Sequence, residues 1–535
     1  MSKQNFPLFL FFLGLTIVAG VLINAPFHNF QYYLAQGDHG RDLYAAEAVL
    51  RGDLPYKDFW WVYGPLMPYY YGLFFKIFGI SIPSVLLGKL IVNVAAGVFF
   101  FLALAQAISL IGAFAGALWF LTFHSDFFFT YNHAGAIAVL LACVWMHLSY
   151  LKTARMRYAF AALGAVFILG LIKINFALTA LVMTVGIVLA VGFLDGKSFQ
   201  ANKKIFYSTA LLILPLCWFG IYSFFLHGLT VTEIRQCLPY LGGDEPYNNL
   251  GPLETLPILA ATIFNTVKSS WINMAVCALI IFASLKTLIL LLNKNIDSST
   301  RRNTLFLLSY GVLFYVLNLH EFLKSGVFYR EFWSQPFSMF LTFVVIAAAL
   351  GGLWRWARIV IWAGLIGIAA WAAYSNVLTI NQLKNPQHYL GSPRGGIYLT
   401  NDRYWLMTVV DTTRRLKTAF KNDELFLALP YDCLYYYLTG KPSPTRQLIF
   451  FDHIKITSQQ EQNIIKDVEG RHIAGVLVSS RQSSHEQGLG TLGVSYCPLL
   501  TQYINTNFTP VAKIGDWKHE PGWAWNHGTL ILKRK

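Results

Sequence analysis

Long apolar runs dominate the chain and recur from its start to about residue 377. Each run is about twenty residues long, the length that a helix needs to cross the ~30 Å hydrocarbon core of a bilayer. The pattern predicts eleven spanning helices, at 6–25, 83–106, 108–124, 133–151, 158–175, 176–194, 205–227, 271–292, 304–320, 332–351 and 359–377. We therefore expect a polytopic α-helical membrane protein.

The pattern changes after residue 378, where short apolar runs alternate with amphipathic stretches. Strands are predicted at 424–429 and 474–478, further edge strands at 508–514 and 529–532, and helices at 403–421 and 459–468. Strands that alternate with helices are typical of an α/β domain. The sequence thus predicts a transmembrane module over 1–377, with an outer loop at 26–82, and a soluble α/β domain over 378–535.

Composition and loop charge give this arrangement an orientation. Hydrophobic residues make up 56% of the chain, charged residues only 13%, and the mean hydropathy is +0.49. The basic residues that follow the fourth, sixth, eighth and tenth runs are Lys152, Arg155, Arg157, Lys197, Lys203, Lys204, Lys294, Arg301, Arg302, Arg355 and Arg358. Because cytoplasmic loops carry the excess of Lys and Arg, we expect a cytoplasmic N-terminus and an extracytoplasmic C-terminal domain. The net charge of +15 is then a sign of topology, and no nucleic-acid partner is expected.

Residues 37–64 concentrate charge just outside the first predicted helix. Their ionisable side chains include Asp38, Arg41, Asp42, Glu47, Arg51, Asp53 and Asp58. Asp38 and Asp42 are four residues apart, so on a helix they share a face. Such acids could serve acid/base chemistry on a lipid-borne substrate, or they could only pair with Arg41 and Arg51 to hold the loop. The aromatic residues of this loop, including Trp60, Trp61 and Tyr63, are expected at headgroup depth.

The same segment carries short motifs in a fixed order: Asp38-His39-Gly40-Arg41, Ala45–Ala48, Gly52, Leu54-Pro55-Tyr56, Asp58-Phe59 and Gly64-Pro65-Leu66. The series resembles the first extracytoplasmic loop of GT-C membrane glycosyltransferases. It is most similar to bacterial members of glycosyltransferase family 39, the relatives of protein mannosyltransferases and aminoarabinose transferases. The predicted helices, loop alternation and C-terminal domain extend the resemblance over essentially the whole chain, although detailed motif matching is confined to residues 37–79.

The resemblance implies an enzyme of the bacterial inner membrane. It would move a sugar from a polyprenyl-phosphate donor to an envelope lipid, glycan or protein at the outer face. An inverting transfer needs one general base near the acceptor, and the resemblance gives that role to Asp38. Where the family usually has an Asp-Glu pair, this chain has Asp38-His39. Asp42 is a rival or helper, and Asp126, in the next outer loop, is a further candidate acid.

Three basic residues are candidates for the donor phosphate. Lys173 lies at the predicted outer end of a helix, where the charge rule disfavours it. Lys173 could bind the donor phosphate, or it could only extend its ammonium group to the lipid headgroups. Arg330 could grip a phosphate with two hydrogen bonds, with His320 beside it, although a salt bridge between Arg330 and Glu331 is an equal alternative.

The remaining expectations concern supports, metals and rival functions. His39, Arg41 and Tyr63 are expected to support the site. The sequence identifies no cofactor with certainty, and a divalent metal stays open because the acids and His39 show no fixed ligand spacing. A disulfide between Cys433 and Cys497 is also open. The rival functions are a transporter or flippase for a lipid-linked sugar, and a non-catalytic scaffold for envelope assembly.

Overall fold

The computed structural model describes residues 6–31, 34, 37–124, 131–194, 201–238, 252–268, 271–292, 298–325, 328–351, 353–399, 403–480, 489–517 and 528–535. The α-helices there are α1 (Phe6–Asn24), α2 (Asp38–Ala48), α3 (Leu66–Phe78), α4 (Ile82–Ala107), α5 (Leu110–Phe123), α6 (Tyr131–Thr153), α7 (Met156–Ile172), α8 (Ile174–Leu194), α9 (Ala201–Ser208), α10 (Leu214–Leu226), α11 (Val231–Cys237), α12 (Pro252–Lys268), α13 (Trp271–Leu292), α14 (Ser298–Asn318), α15 (His320–Ser325), α16 (Gln335–Leu350), α17 (Arg355–Leu383), α18 (Arg403–Ala419), α19 (Cys433–Thr439), α20 (Ser458–Gly470) and α21 (Pro498–Asn507). The strands are β1 (Phe30–Gln31), β2 (Tyr389–Leu390), β3 (Ile397–Leu399), β4 (Phe426–Leu429), β5 (Gly475–Ser479), β6 (Phe508–Gly515) and β7 (Gly528–Arg534).

The predicted helical membrane fold is confirmed. Within the described ranges, six helices are long and apolar enough to cross a membrane: Phe6–Phe27, Ile82–Ala107, Tyr131–Thr153, Ile174–Gly192, Ala201–Leu226 and Arg355–Leu383. Five shorter apolar helices accompany them: Leu110–Phe123, Met156–Ile172, Cys277–Ile289, Asn303–Asn318 and Gln335–Leu350. Each predicted apolar run falls on one of these helices.

The first helices form a closely packed bundle around α4, which contacts α1, α5 and α6. Small residues allow this close approach. A Cβ atom on Gly97 of α4 would lie 2.6 Å from the Leu121 side chain of α5, so a larger residue there would require Leu121 to shift. The rings of Phe100 and Phe120 stack between the same two helices, with centroids 4.9 Å apart. Packing of small residues and aromatic rings is the usual means of association between helices in lipid.

The loop between α1 and α4 is folded and largely buried, which corrects the expected interfacial placement of Trp60 and Trp61. Trp60 and Trp61 are only 3% and 1% exposed, and the indole of Trp61 donates to the Gly64 carbonyl at 3.0 Å. The Asp58 carboxylate accepts from the Leu54 backbone at 2.7 Å and so closes a turn. These residues therefore pack inside the protein, and their role is to shape the loop.

The C-terminal part contains a four-stranded sheet in the order β4-β5-β7-β6. Strands β4 and β5 are parallel, whereas β7 is antiparallel to both β5 and β6. The strands predicted at 424–429 and 474–478 are confirmed as β4 and β5. The strand at 529–532 is confirmed as β7, but its predicted edge position is wrong because β7 lies between β5 and β6.

The loop between α1 and α4 lies against the C-terminal part, and two of its contacts illustrate how closely. Strand β1 pairs in parallel with β3, which follows the last long apolar helix. Helix α2 packs on α19 so tightly that a Cβ atom on Gly40 would lie 2.3 Å from the Leu434 backbone nitrogen. The charged segment found in the sequence is consequently held between the membrane helices and the C-terminal sheet.

Candidate active site

Asp38 stands at the start of α2, and its carboxyl group has one occupied and one open oxygen. The Tyr431 hydroxyl donates to Asp38 Oδ1 at 2.9 Å, and Arg41 Nη1 donates to the same oxygen at 3.4 Å. Within the described residues, no hydrogen bond reaches the other oxygen, Oδ2. The Asp38 side chain is 30% exposed. It is therefore an acid with a fixed orientation and an oxygen available to a substrate.

Asp42 differs from Asp38 because its carboxyl group is fully engaged by the protein. Arg41 donates from Nε and Nη2 to Asp42 Oδ1 at 3.0 and 2.8 Å, and the Tyr131 backbone donates to Oδ2 at 3.3 Å. Burial raises the pKa of Asp42 to about 6, although Arg41 favours the charged form. The structure thus separates two acids that the sequence left as rivals.

Arg41 is buried, at 2% exposed, and connects the acids to the aromatic loop. Its guanidinium lies 5.3 Å from the ring centroid of Trp61 and 5.1 Å from that of Tyr63. A cation over an aromatic face is attracted by the ring quadrupole. Arg41 and Tyr63, both predicted to support the site, are therefore adjacent. Arg41 in turn contacts Asp38.

His39, at the position where the motif resemblance leads one to expect a glutamate, points into the protein. It is 1% exposed, and its ring centroid lies 5.6 Å from that of Tyr131. It packs towards α6, and its burial separates it from the exposed edge of Asp38.

Lys173 occupies a break between α7 and α8. Its backbone nitrogen donates to the Leu169 carbonyl at 2.7 Å and ends α7. Its ammonium lies 2.7 Å from Glu321 Oε1 and 2.7 Å from His133 Nε2, and 3.8 Å from the Trp333 ring centroid. At 2% exposed, Lys173 does not snorkel to the surface but sits in a buried ionic cluster.

The other predicted phosphate ligands converge on the same cluster through Glu321. Asn175 donates to both Glu321 and the His320 ring, the latter at 3.0 Å. Burial alone would raise the pKa of Glu321, but Lys173 and Arg330 together hold it below its ordinary value. Glu331, the expected partner of Arg330, instead accepts from the Tyr315 hydroxyl at 3.5 Å. We refer to Lys173, His133, Glu321, His320 and Arg330 as the basic cluster.

Tyr63 joins the basic cluster to the acids of α2. The Tyr63 ring centroid is 5.6 Å from that of His133. The guanidinium of Arg41 lies 5.1 Å from the same Tyr63 centroid. The following residue, Gly64, donates to the Ile172 carbonyl at 2.9 Å. A Cβ atom on Gly64 would lie 2.2 Å from the Leu171 backbone, so the loop touches the chain next to Lys173. Asp38 and Lys173 are thus connected through Arg41, Tyr63 and His133.

Some predicted features lie elsewhere or are absent from this site. Asp126 lies outside the described residues. Of the residues that were described, no group of three or more His, Cys, Asp or Glu is arranged to hold a metal ion. Cys433 and Cys497 are both buried, and within the described chain no disulfide joins them.

Three contributors to the site were missed from the sequence, namely Tyr431, Glu321 as an ion-pair partner, and His133 as a neighbour of Lys173.

The site combines two chemical capacities. An open carboxylate oxygen at its exposed edge can accept a proton from a hydroxyl or an amine. Lys173 and Arg330 of the basic cluster can hold an anionic group, since Lys and Arg are the usual phosphate ligands.

Comparison with known proteins supports the predicted fold. No protein-family model matches the chain, and no curated protein matches it. The structure overlays on ArnT from Cupriavidus metallidurans bound to undecaprenyl phosphate with a TM-score of 0.55, over 99% of this chain and 98% of that one, at 12% identity. The chain therefore has the fold of the GT-C protein ArnT, as the motif resemblance predicted.

Two further solved structures overlap more weakly. The arabinofuranosyltransferase AftD from Mycobacteria gives a TM-score of 0.49 at 13% identity, covering 100% of this chain and 40% of AftD. The Archaeoglobus fulgidus oligosaccharyltransferase tethered with an acceptor peptide gives 0.45 at 12% identity, covering 90% and 70%. At this level of overlap they add nothing to the assignment of the fold.

Proposed function

We propose that this protein is an inverting glycosyltransferase that uses a polyprenyl-phosphate sugar and acts on a lipid, glycan or protein of the cell envelope. The observation that carries the proposal is the geometry of Asp38, a half-open carboxylate joined through Arg41 and Tyr63 to the basic cluster. A fold shared with ArnT, whose structure contains undecaprenyl phosphate, supports the choice of donor class.

The proposed reaction breaks the bond between the sugar C1 and the phosphate oxygen. The polyprenyl phosphate leaves with the bonding electrons, and Lys173, Arg330 and His320 stabilise its negative charge. The acceptor hydroxyl or amine attacks C1 from the opposite face, which inverts the anomeric configuration. Asp38 removes the proton that the acceptor loses, through its open oxygen Oδ2.

The neighbouring residues have supporting roles in this proposal. Asp42 neutralises Arg41 and fixes its direction, while Tyr63 packs against Arg41 and His39 anchors α2 to the bundle. The contribution of Asp126 stays a prediction. A divalent metal is not needed for the steps above, because the leaving group is a phosphate that cations of the protein can stabilise.

We further propose that all eleven apolar helices cross the bacterial inner membrane, with the N-terminus in the cytoplasm. The distribution of Lys and Arg among the loops supports this orientation. Residues 378–535 then form an extracytoplasmic domain over the site. The donor would enter laterally from the outer leaflet.

A transporter for a lipid-linked sugar is the second candidate, and one feature favours it. The Lys173–Glu321 ion pair is buried at a break between two apolar helices, and ion pairs on broken helices occur in transporters. Formation of a glycosylated product would support the glycosyltransferase hypothesis. Movement of the lipid-linked sugar between leaflets without product would support the transporter hypothesis. Absence of both activities would support the non-catalytic scaffold.

The Asp38→Asn variant tests the proposed chemistry. We expect transfer to fall by at least about 100-fold, since loss of a general base typically removes a factor of 10² to 10⁴. The assay uses the purified protein in vesicles, undecaprenyl-phosphate esters of radiolabelled arabinose, mannose, glucose and N-acetylglucosamine, and a bacterial envelope extract as acceptor.

The matched control is Asp53→Asn in the same loop. Asp53 is about as exposed as Asp38 and pairs with Arg51 at 3.0 Å, so its loss should leave transfer nearly unchanged. Full activity of the Asp38→Asn variant, with normal folding, would refute the assignment of the base.

A further inference from the structure

One side chain of the C-terminal domain reaches the candidate base directly. Tyr431 follows strand β4 and precedes α19. It is fully buried, at 0% exposed, and its hydroxyl donates to Asp38 Oδ1 at 2.9 Å across 393 residues of sequence. A buried phenol has a strong requirement for a hydrogen-bond partner, and here a carboxylate supplies it.

The position of this phenol relative to Asp38 is fixed by the docking of α2 on the C-terminal domain. Beyond the Gly40 contact, the Ser443 backbone donates to the Tyr44 hydroxyl at 3.0 Å. Further along α2, Arg394 holds Glu47 with two hydrogen bonds of 2.6 and 2.9 Å. Because α2 is held along its length, Asp38 and Tyr431 meet in one defined geometry.

We propose that Tyr431 is a positioning residue through which the C-terminal domain orients the carboxyl group of Asp38. This inference deepens the proposed glycosyl transfer and rests on it. By holding Oδ1, the phenol directs Oδ2 towards the acceptor. Burial raises the pKa of Tyr431, so its hydroxyl keeps the proton that it donates.

The effect of the phenol on Asp38 can be isolated by a single substitution. Among the described residues, Asp38 interacts with Arg41 and Asp42 on its own helix and with Tyr431 from the C-terminal part. The Tyr431→Phe variant removes one hydroxyl and leaves the ring and these charges in place. The ion pair with Arg41 remains.

For Tyr431→Phe we expect kcat to fall about 10-fold, because Oδ2 of Asp38 is no longer held in the direction of the acceptor. The KM for the donor should stay nearly unchanged, since the donor phosphate is assigned to the basic cluster. A merely structural role would instead lower the amount of folded protein and leave kcat per folded molecule unchanged.

The test uses the full-length protein in lipid nanodiscs. Transfer is measured with the donor panel described above, and kcat and the donor KM are determined per molecule of folded protein. The control is Tyr437→Phe, a buried tyrosine of α19 whose hydroxyl donates to the Arg394 carbonyl at 2.9 Å. It should leave kcat and the donor KM unchanged.

An unchanged kcat in folded Tyr431→Phe would overturn the inference. If that variant does not fold, 3,5-difluorotyrosine at position 431 retains the shape and the donor, so kcat and the donor KM should stay near their wild-type values, and a 10-fold fall in kcat there would overturn the inference. If the wild-type protein transfers no sugar from the panel, the proposed transfer fails and the inference fails with it. If the wild type transfers sugar and Tyr431→Phe does so equally well, the proposed function stands and only the inference fails.

Discussion

The environments of single side chains decide what the charged segment can do. Asp38 and Asp42 are equivalent in sequence, but one keeps an open oxygen and the other is saturated by Arg41 and the Tyr131 backbone. Ionisable residues stand out in an apolar chain, which is why Asp38, Lys173, His320 and Arg330 could be selected from the sequence. Their partners could not, because an ion pair between distant segments leaves no local pattern.

Glu321 provides a test of the basic cluster. Its carboxylate is bound to Lys173, so it competes with any phosphate that this lysine would hold. For Glu321→Gln we expect the KM for the donor to fall about 5-fold, equivalent to about 1 kcal/mol. The thermal midpoint should fall at the same time, because a buried lysine that loses its partner costs about 3 kcal/mol or more.

The control for this change is Glu331→Gln, ten residues further along the chain. Glu331 bonds to the Tyr315 hydroxyl, and no competition with the phosphate is expected from it. A KM that is unchanged or higher in Glu321→Gln would mean that Lys173 is not the phosphate ligand. Donor KM is measured in vesicles, and the thermal midpoint in detergent.

Among the helices and strands, the main departures from expectation occur where long-range contacts decide the structure. Helix α2 begins at Asp38, ahead of the apolar positions that would indicate a helix from the sequence. Its first turn is polar, and short helices gain most of their stability from tertiary packing, here against α19. In the same way, β7 is interior because β6 covers it, which the spacing of apolar residues could not reveal.

The contact between α2 and α19 predicts the effect of one methyl group. In Gly40→Ala, the added Cβ would overlap the Leu434 backbone, so α2 must move away from α19. We expect a loss of stability of about 1–3 kcal/mol and a loss of transfer, since Asp38 moves with α2. Limited proteolysis should cleave the C-terminal domain faster than in the wild type.

The comparison variant is Gly164→Ala in α7, where nothing lies within 4 Å of the added atom. It makes the same chemical change in a helix and should behave as wild type. Equal protease resistance of the two variants would contradict the view that close packing on α19 holds α2 in place.

For the molecule as a whole, the proposed orientation can be checked by labelling. In a background of Cys217→Ser and Cys277→Ser, which removes the cysteines that are not buried, one exposed cysteine is introduced at a time. A membrane-impermeant maleimide should label Glu469→Cys in intact spheroplasts. It should label Arg157→Cys only after permeabilisation, because that loop is predicted to be cytoplasmic. Labelling of both variants in intact cells would invalidate the topology.

The short parallel pairing of β1 with β3 also has a consequence for biosynthesis. Strand β1 leaves the ribosome just after the first helix, whereas β3 appears only after α17. At about 5–20 residues per second, the early strand waits between roughly twenty seconds and just over a minute for its partner. Helix α2 and Tyr431 are separated by a still longer interval of synthesis. The contacts of β1 and α2 with the C-terminal part can therefore form only after the membrane region has been translated.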